Sequence, residues 1–220
     1  MTLPLYRTVE KKSDSEFEIR KSRFITHVHP VETAGQAETV IDSLKKDTWK
    51  ANHHCYAYIL GTKQEIQKAS DDGEPAGTAG VPILDVLRKR AVCNTLIVVT
   101  RFFGGIKLGA GGLIRAYTRA AADGLDTATV IDRIPADRWE VTVDYHLSGM
   151  LDNRLNESPY LVRHVRYTDR VNYDICTRQT ERTAFQDWIR NLTGDRAKVR
   201  KTEELYLDEK VAGNDDEGHK

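Results

Sequence analysis

DDGEPAGTAG (residues 71–80) and CNTLIVVTRFFGGIKLGAGGLIRAYTR (residues 93–119) are the stretches on which the reading of this chain turns. The unbroken β-branched and apolar run Thr95 to Val99 predicts a strand buried on both faces. A loop with five glycines follows, at Gly104, Gly105, Gly109, Gly111 and Gly112, and leads straight into a helix predicted over Gly112 to Ala128. Leu113, Tyr117, Ala120 and Leu125 form the buried stripe of that helix, and Arg115, Arg119 and Asp123 line an outer one at four-residue spacing. Upstream, Pro82 sits where a first helical residue belongs, with Ile83, Val86 and Leu87 behind it.

Glycines without Cβ atoms let backbone N–H groups approach a ligand, and a helix start behind them favours anions. Arg101, Lys107 and Arg115 add full positive charge around that loop, so it suits a phosphate, an RNA backbone or a carboxylate. The bland alternative is that the glycines merely let strand, turn and helix pack closely. GGIKLGAGG matches neither GxxxxGK[ST] nor a well-spaced GxGxxG, which excludes the common nucleotide loops. The acidic loop offers Asp71, Asp72, Glu74 and the Thr78 hydroxyl. These groups could hold a divalent cation, but the spacing completes no ligand set. They could do acid–base work, but no nucleophile stands beside them. The third use is internal: Asp71 or Glu74 neutralises Lys107 or Arg101 and ties the two loops together. His53-His54-Cys55 puts only His53 and Cys55 on one strand face, and a buried thiol accounts for Cys55. No metal site and no cofactor is expected.

Away from this centre, residues up to about Asp14 are polar and expected to be loosely held. Two strands are predicted at Phe17–Arg20 and Arg23–Pro30, with Phe24 and His27 on one face. Thr33 and Gln36 form a capping box for a helix to Asp47, and HCYAYILG and KQEIQKAS pair as a hairpin. Asp132 to Arg138 reads as a linker. Beyond it, Trp139, Val141, Val143 and Tyr145 alternate as a strand, and Leu147, Leu151 and Leu155 step as a helix. Strands at Leu161–Tyr167 and Val171–Thr177 follow. A helix carrying Phe185, Trp188, Ile189 and Leu192 stops at Gly194, and a last strand lies within Lys198–Leu207. The order β-α-β-β-α-β is the ferredoxin-like arrangement. The fold class is therefore α+β in two domains, spanning 1–133 and 138–208, with a charged disordered tail over 209–220.

Lys+Arg and Asp+Glu are equal at 33 each, so no global bias draws the chain to nucleic acid or membrane. No apolar stretch is long enough to span a bilayer, and MTLPLYRTVEKK lacks a signal-peptide core. Three scattered cysteines without CxxC fit buried thiols in a reducing cytoplasm. No feature reads DNA specifically, and the oligomeric state is not encoded in these patterns. The second domain lacks stacking aromatics of the RNA-recognition type, and Glu140, Asp144 and Asp174 make its open face acidic.

SRFI (22–25), HHCYAY (53–58), SDDGEPAGTAGVPIL (70–84) and VVTRFFGGIKLGAGGLIRAY (98–117) resemble the motifs of the YigZ/YvyE family of bacterial IMPACT-domain proteins. The resemblance implies a ribosomal-protein-S5-domain-2-like fold for the first domain and a ferredoxin-like fold for the second. It implies a link to translation, with RNA, the ribosome or a translation-related protein as partner. Some relatives carry a peptidase label, for which this chain supplies neither metal ligands nor nucleophile. It departs from the family's usual pattern at His54, where Asn is common, and at Phe102-Phe103, where a Tyr is common. Residues and resemblance together leave three readings open: a translation-associated binding protein using the basic glycine loop, a small-molecule hydrolase with a metal in the acidic loop, and recognition of a protein partner through the same basic surface.

Overall fold

The computed structural model describes residues 3–211 of the chain. It is an α+β protein with two sheets, dividing into two compact units. One unit comprises Tyr6–Asp132 with 209–211; the other comprises 3–5 with Arg133–Asp208.

The first unit contains β1 (Tyr6–Val9), β2 (Ser13–Ile19), β3 (Ser22–Pro30), α1 (Ala34–Asp47), β4 (His53–Leu60) and β5 (Ile66–Ser70). It continues through α2 (Gly80–Lys89), β6 (Thr95–Phe102) and α3 (Ala110–Thr127) into the start of β7 (Val130–Val143). Its sheet runs β2-β3-β6-β4-β5, antiparallel throughout. The central β6 is buried because both sheet faces are covered. Leu96 and Val98 meet Ala37 and Ile41 of α1, while α2 and α3 pack on the other side. Two-sided cover therefore explains the unbroken apolar run, in an antiparallel sheet rather than a parallel one.

Thr33 caps α1 as expected, its hydroxyl accepting from Gln36 N at 3.2 Å, and the Gln36 side chain accepts in return from Glu32 N at 2.7 Å. α2 starts two residues before Pro82, which occupies the third helical position, where a backbone N–H has no intrahelical partner anyway. The N-terminal residues are not loose: β1 pairs with the start of β7, and the Arg7 guanidinium forks onto Asp132 at 2.8 and 2.9 Å. On β3 the inward face is Phe24, Thr26 and Val28. His27 lies on the other face, its Nδ1 2.6 Å from Asp14 Oδ1, because strand side chains alternate with period two.

The second unit contains most of β7, then α4 (Tyr145–Asn156), β8 (Leu161–Tyr167), β9 (Val171–Arg178), α5 (Arg182–Thr193) and β10 (Lys198–Lys210). Its strands run β10-β7-β9-β8, the sheet of a βαββαβ unit. Trp139, Val141, Val143, Tyr173 and Ile175 pack on Leu147, Leu151, Leu155, Phe185 and Ile189. Gly194 ends α5 in the left-handed conformation at φ 59°. Asp132–Arg138, expected as a linker, is part of the continuous strand β7. Pro135 is tolerated there because pairing with β9 begins one residue later, at Ala136. Tyr145 is not a strand residue but opens α4, after Asp144 leaves the strand as the residue preceding the helix. β10 extends past Asp208 to Lys210, and the remainder of the expected tail, 212–220, lies outside the described residues.

Candidate functional site

Four separated motifs meet at Glu74. Its Oε1 accepts from Arg101 Nη1 at 2.6 Å and from the Tyr117 hydroxyl at 2.7 Å, and His53 Nε2 lies 3.9 Å away. Arg101 is only 4% exposed. Its guanidinium lies 5.4 Å from the ring centroids of both Phe24 and Phe103, and its Nη2 reaches Ser22 Oγ at 3.3 Å. The same Ser22 oxygen lies 3.3 Å from Gly104 N. SRFI, HHC, DDGEP and the end of β6 are thus stitched through one buried ion pair, with Tyr117 of α3 closing it. A buried carboxylate with a guanidinium and a hydroxyl on one oxygen is a satisfied structural group.

The other acidic side chains are equally engaged. Asp71 accepts from Gly77 N at 2.8 Å, Ala79 N at 3.0 Å and Gly80 N at 2.8 Å. Burial works against its ionisation, but these three N–H groups outweigh it and hold the carboxyl below the usual range. Asp72 takes Lys45 Nζ and His54 N, each at 2.7 Å, and is also held low despite its burial. The Thr78 hydroxyl donates to Pro75 O at 2.6 Å, closing a local turn. Among the described residues no group of three or more His, Cys, Asp or Glu is placed to hold a metal ion. Cys55 is fully buried, 2.9 Å from Asp71 O and 3.3 Å from the Tyr117 hydroxyl. Burial pushes its thiol up to about 12, away from thiolate chemistry. Burial likewise raises the Tyr117 phenol, with Cys55 and Glu74 adding to it.

The basic loop divides differently. Arg101 supports it from below, while Lys107 and Arg115 are exposed. An ideal Cβ on Gly104 would lie 1.9 Å from Lys21 O, so this glycine permits direct contact between the loop and the β2–β3 turn. Gly109 precedes α3 at φ 72°, which favours glycine. Gly105 continues the loop at positive φ, and Gly111 and Gly112 lie in the first turn of α3.

Sequence reasoning missed Arg20 and Lys21. They form a two-residue turn between Ile19 and Ser22, both with positive φ, 48° and 63°. Such turns favour Asn-Gly, so two long cations there store strain. Arg20 Nη1 lies 3.4 Å from Lys107 O, which sets the turn beside the glycine loop. The missing Gly or Asn between two alternating runs was the one available signal. Next to this turn, β2 and α3 border a groove of about 260 Å³. Arg20, Arg115 and Arg119 line it over Phe17, Ile19, Leu108 and Ala116, and its lining contains no carboxylate.

The family model for the Impact N-terminal domain matches residues 20–125, and that for a domain of unknown function, DUF1949, matches residues 141–196. IMPACT family member YvyE of Bacillus subtilis is 43% identical over 206 residues, covering 94% of this chain and 95% of the relative. The chain belongs to the IMPACT family. Another member, YigZ of Escherichia coli, is 36% identical over 65% of this chain and 74% of its own length. Protein IMPACT-B of Xenopus tropicalis is 37% identical over 49% of the chain and 33% of its own length. A solved structure titled as that of a hypothetical protein aligns with a TM-score of 0.59 and 27% identity, covering 92% of this chain and 98% of that one. In this IMPACT family member, the Glu74 cluster and both glycine-containing loops lie within the span matched by the Impact N-terminal domain.

Proposed function

We propose that this IMPACT family member is a translation-associated binding protein that holds RNA, such as that of the ribosome, on the cations around the start of α3. One observation carries the reading. Arg20, Lys21, Lys107 and Arg115 are all exposed around one turn-and-loop junction, while the nearby acidic loop spends its carboxylates internally. Positive charge is therefore left facing outward on a chain whose net charge is zero. The hydrolase reading has less support, since a metal in the acidic loop would have to displace the N–H groups on Asp71 and the Lys45 and Arg101 partners of Asp72 and Glu74. A cytoplasmic setting goes with the RNA reading and suits the three free, buried cysteines. No helix among the described residues is long and apolar enough to cross a membrane.

The test is co-sedimentation with ribosomes and fluorescence anisotropy with ribosomal RNA fragments across a salt series. Four phosphate contacts on single-stranded segments give a log–log salt slope of about −3. Lys107→Ala with Arg115→Ala is expected to weaken binding and bring that slope to about −1.5. Unchanged co-sedimentation of the double variant at low salt would overturn the reading.

A further inference from the structure

We propose that the groove between β2 and α3 seats one unpaired nucleotide of an RNA strand, with its base on the Arg119 guanidinium and its phosphates on Arg115 and Arg20. The proposal rests on the RNA-binding reading above and deepens it from charge to the single-stranded state of the ligand.

One lining residue, Phe17, belongs to a ready-made stack whose other ring, Phe24, is buried. Phe17 and Phe24 pair across β2 and β3 with rings 5.1 Å apart and 4° from parallel. The Arg119 guanidinium lies 4.5 Å from the Phe17 centroid as the next layer. Its Nε donates to Asp123 Oδ2 at 3.1 Å, an in-plane contact that anchors the group by its edge. Its side chain is still 59% exposed, so the planar cation is anchored yet open to solvent. A guanidinium plane held in this way accepts a nucleobase by stacking.

The flanking charges supply the second half of the recognition. Arg20 and Arg115 stand at the groove with no carboxylate in its lining to neutralise them. Arg119 is hydrogen-bonded to the Asp123 carboxylate, which weakens its pull on a phosphate and leaves stacking as its better role. The volume of about 260 Å³ falls just under the range of drug-sized pockets, which suits one ring system with its phosphate. A base inside a duplex has both faces covered and cannot reach such a platform, so the seat selects unpaired RNA. A carboxylate-rich peptide would use the three charges but not the plane.

Anisotropy with a fluorescein-labelled twelve-residue oligouridine and a duplex RNA of equal length separates these possibilities. The single strand is expected to bind at least about tenfold more tightly, the size of one base-stacking contact. Arg119→Lys keeps the charge and removes the plane, and is expected to cost the single strand about tenfold while leaving the duplex unchanged. Arg115→Lys, which keeps a phosphate contact, is expected to change affinity by less than about threefold. Circular dichroism on each variant confirms the fold. Equal binding of both RNAs with a silent Arg119→Lys overturns the nucleotide seat and leaves RNA binding standing. Binding of neither RNA overturns both. Displacement by oligoglutamate as readily as by unlabelled oligouridine also overturns the seat.

Discussion

At the residue scale, Glu74 and Arg101 carry the clearest energetic consequence. Both side chains are nearly inaccessible, and their 2.6 Å contact is shared with Tyr117. Breaking a buried pair from one side leaves an uncompensated charge, at a cost of about 3–5 kcal/mol. Glu74→Leu or Arg101→Met alone is expected to lose that much in urea unfolding. The double variant should recover most of it, because no charge is then stranded. Single variants that each cost less than about 1 kcal/mol would show that this buried pair does not hold the motifs together. This pairing was open in the sequence as one of three uses for the acidic loop, and geometry selects it. Arg101 had the same sequence credentials as Lys107 and Arg115, yet it is buried while they are exposed.

At the element scale, the β2–β3 turn is the anomaly. A two-residue connection with positive φ at both positions is built for Asn-Gly, and this chain uses Arg20-Lys21. Replacing them, as Arg20→Asn with Lys21→Gly, is expected to raise stability by about 1 kcal/mol by relieving backbone strain. The same change removes two of the four outward cations and should weaken RNA binding. Gained thermal stability with unchanged RNA affinity would show the turn to be an accident of packing. The elements themselves were largely legible. Alternation marked β7 from Trp139 onward, an unbroken apolar run marked β6, and helical spacing marked α1 to α5, with the Thr33 cap and the Gly194 stop. Failures came where a local signal had two meanings. Pro135 looked like a break but sits at the edge of a pairing. Tyr145 kept the strand's parity while the chain had already turned into a helix.

At the scale of the whole molecule, acid sensitivity follows from groups in both units. Asp132 and Asp174 are held low by their hydrogen bonds with Arg7 and Arg138, and Asp71 by backbone N–H groups that outweigh its burial. Carboxyls held low in the folded state stabilise it fully above their unfolded values near ~3.9, and that contribution disappears as pH falls through the folded values. His29 and His54 are held neutral chiefly by burial, so protonation favours unfolding once pH drops below about 6.5. Urea unfolding is therefore expected to weaken in two stages on acidification. Asp71→Asn should cost about 1–3 kcal/mol at neutral pH and shrink the lower stage. A variant whose acid limb matched the parent's would remove Asp71 from this account. What the sequence by itself determined was which residues turn inward, where helices begin and stop, and that charge gathers around a glycine loop. Those features repeat within a few residues and are written as period, cap and composition. Only the tertiary structure decided which charges remain outward. Glu74 reaches Arg101 across 27 positions and Arg20 reaches the Lys107 backbone across 87. Such partners are chosen by the order of strands in the sheet, and local periodicity does not encode that order.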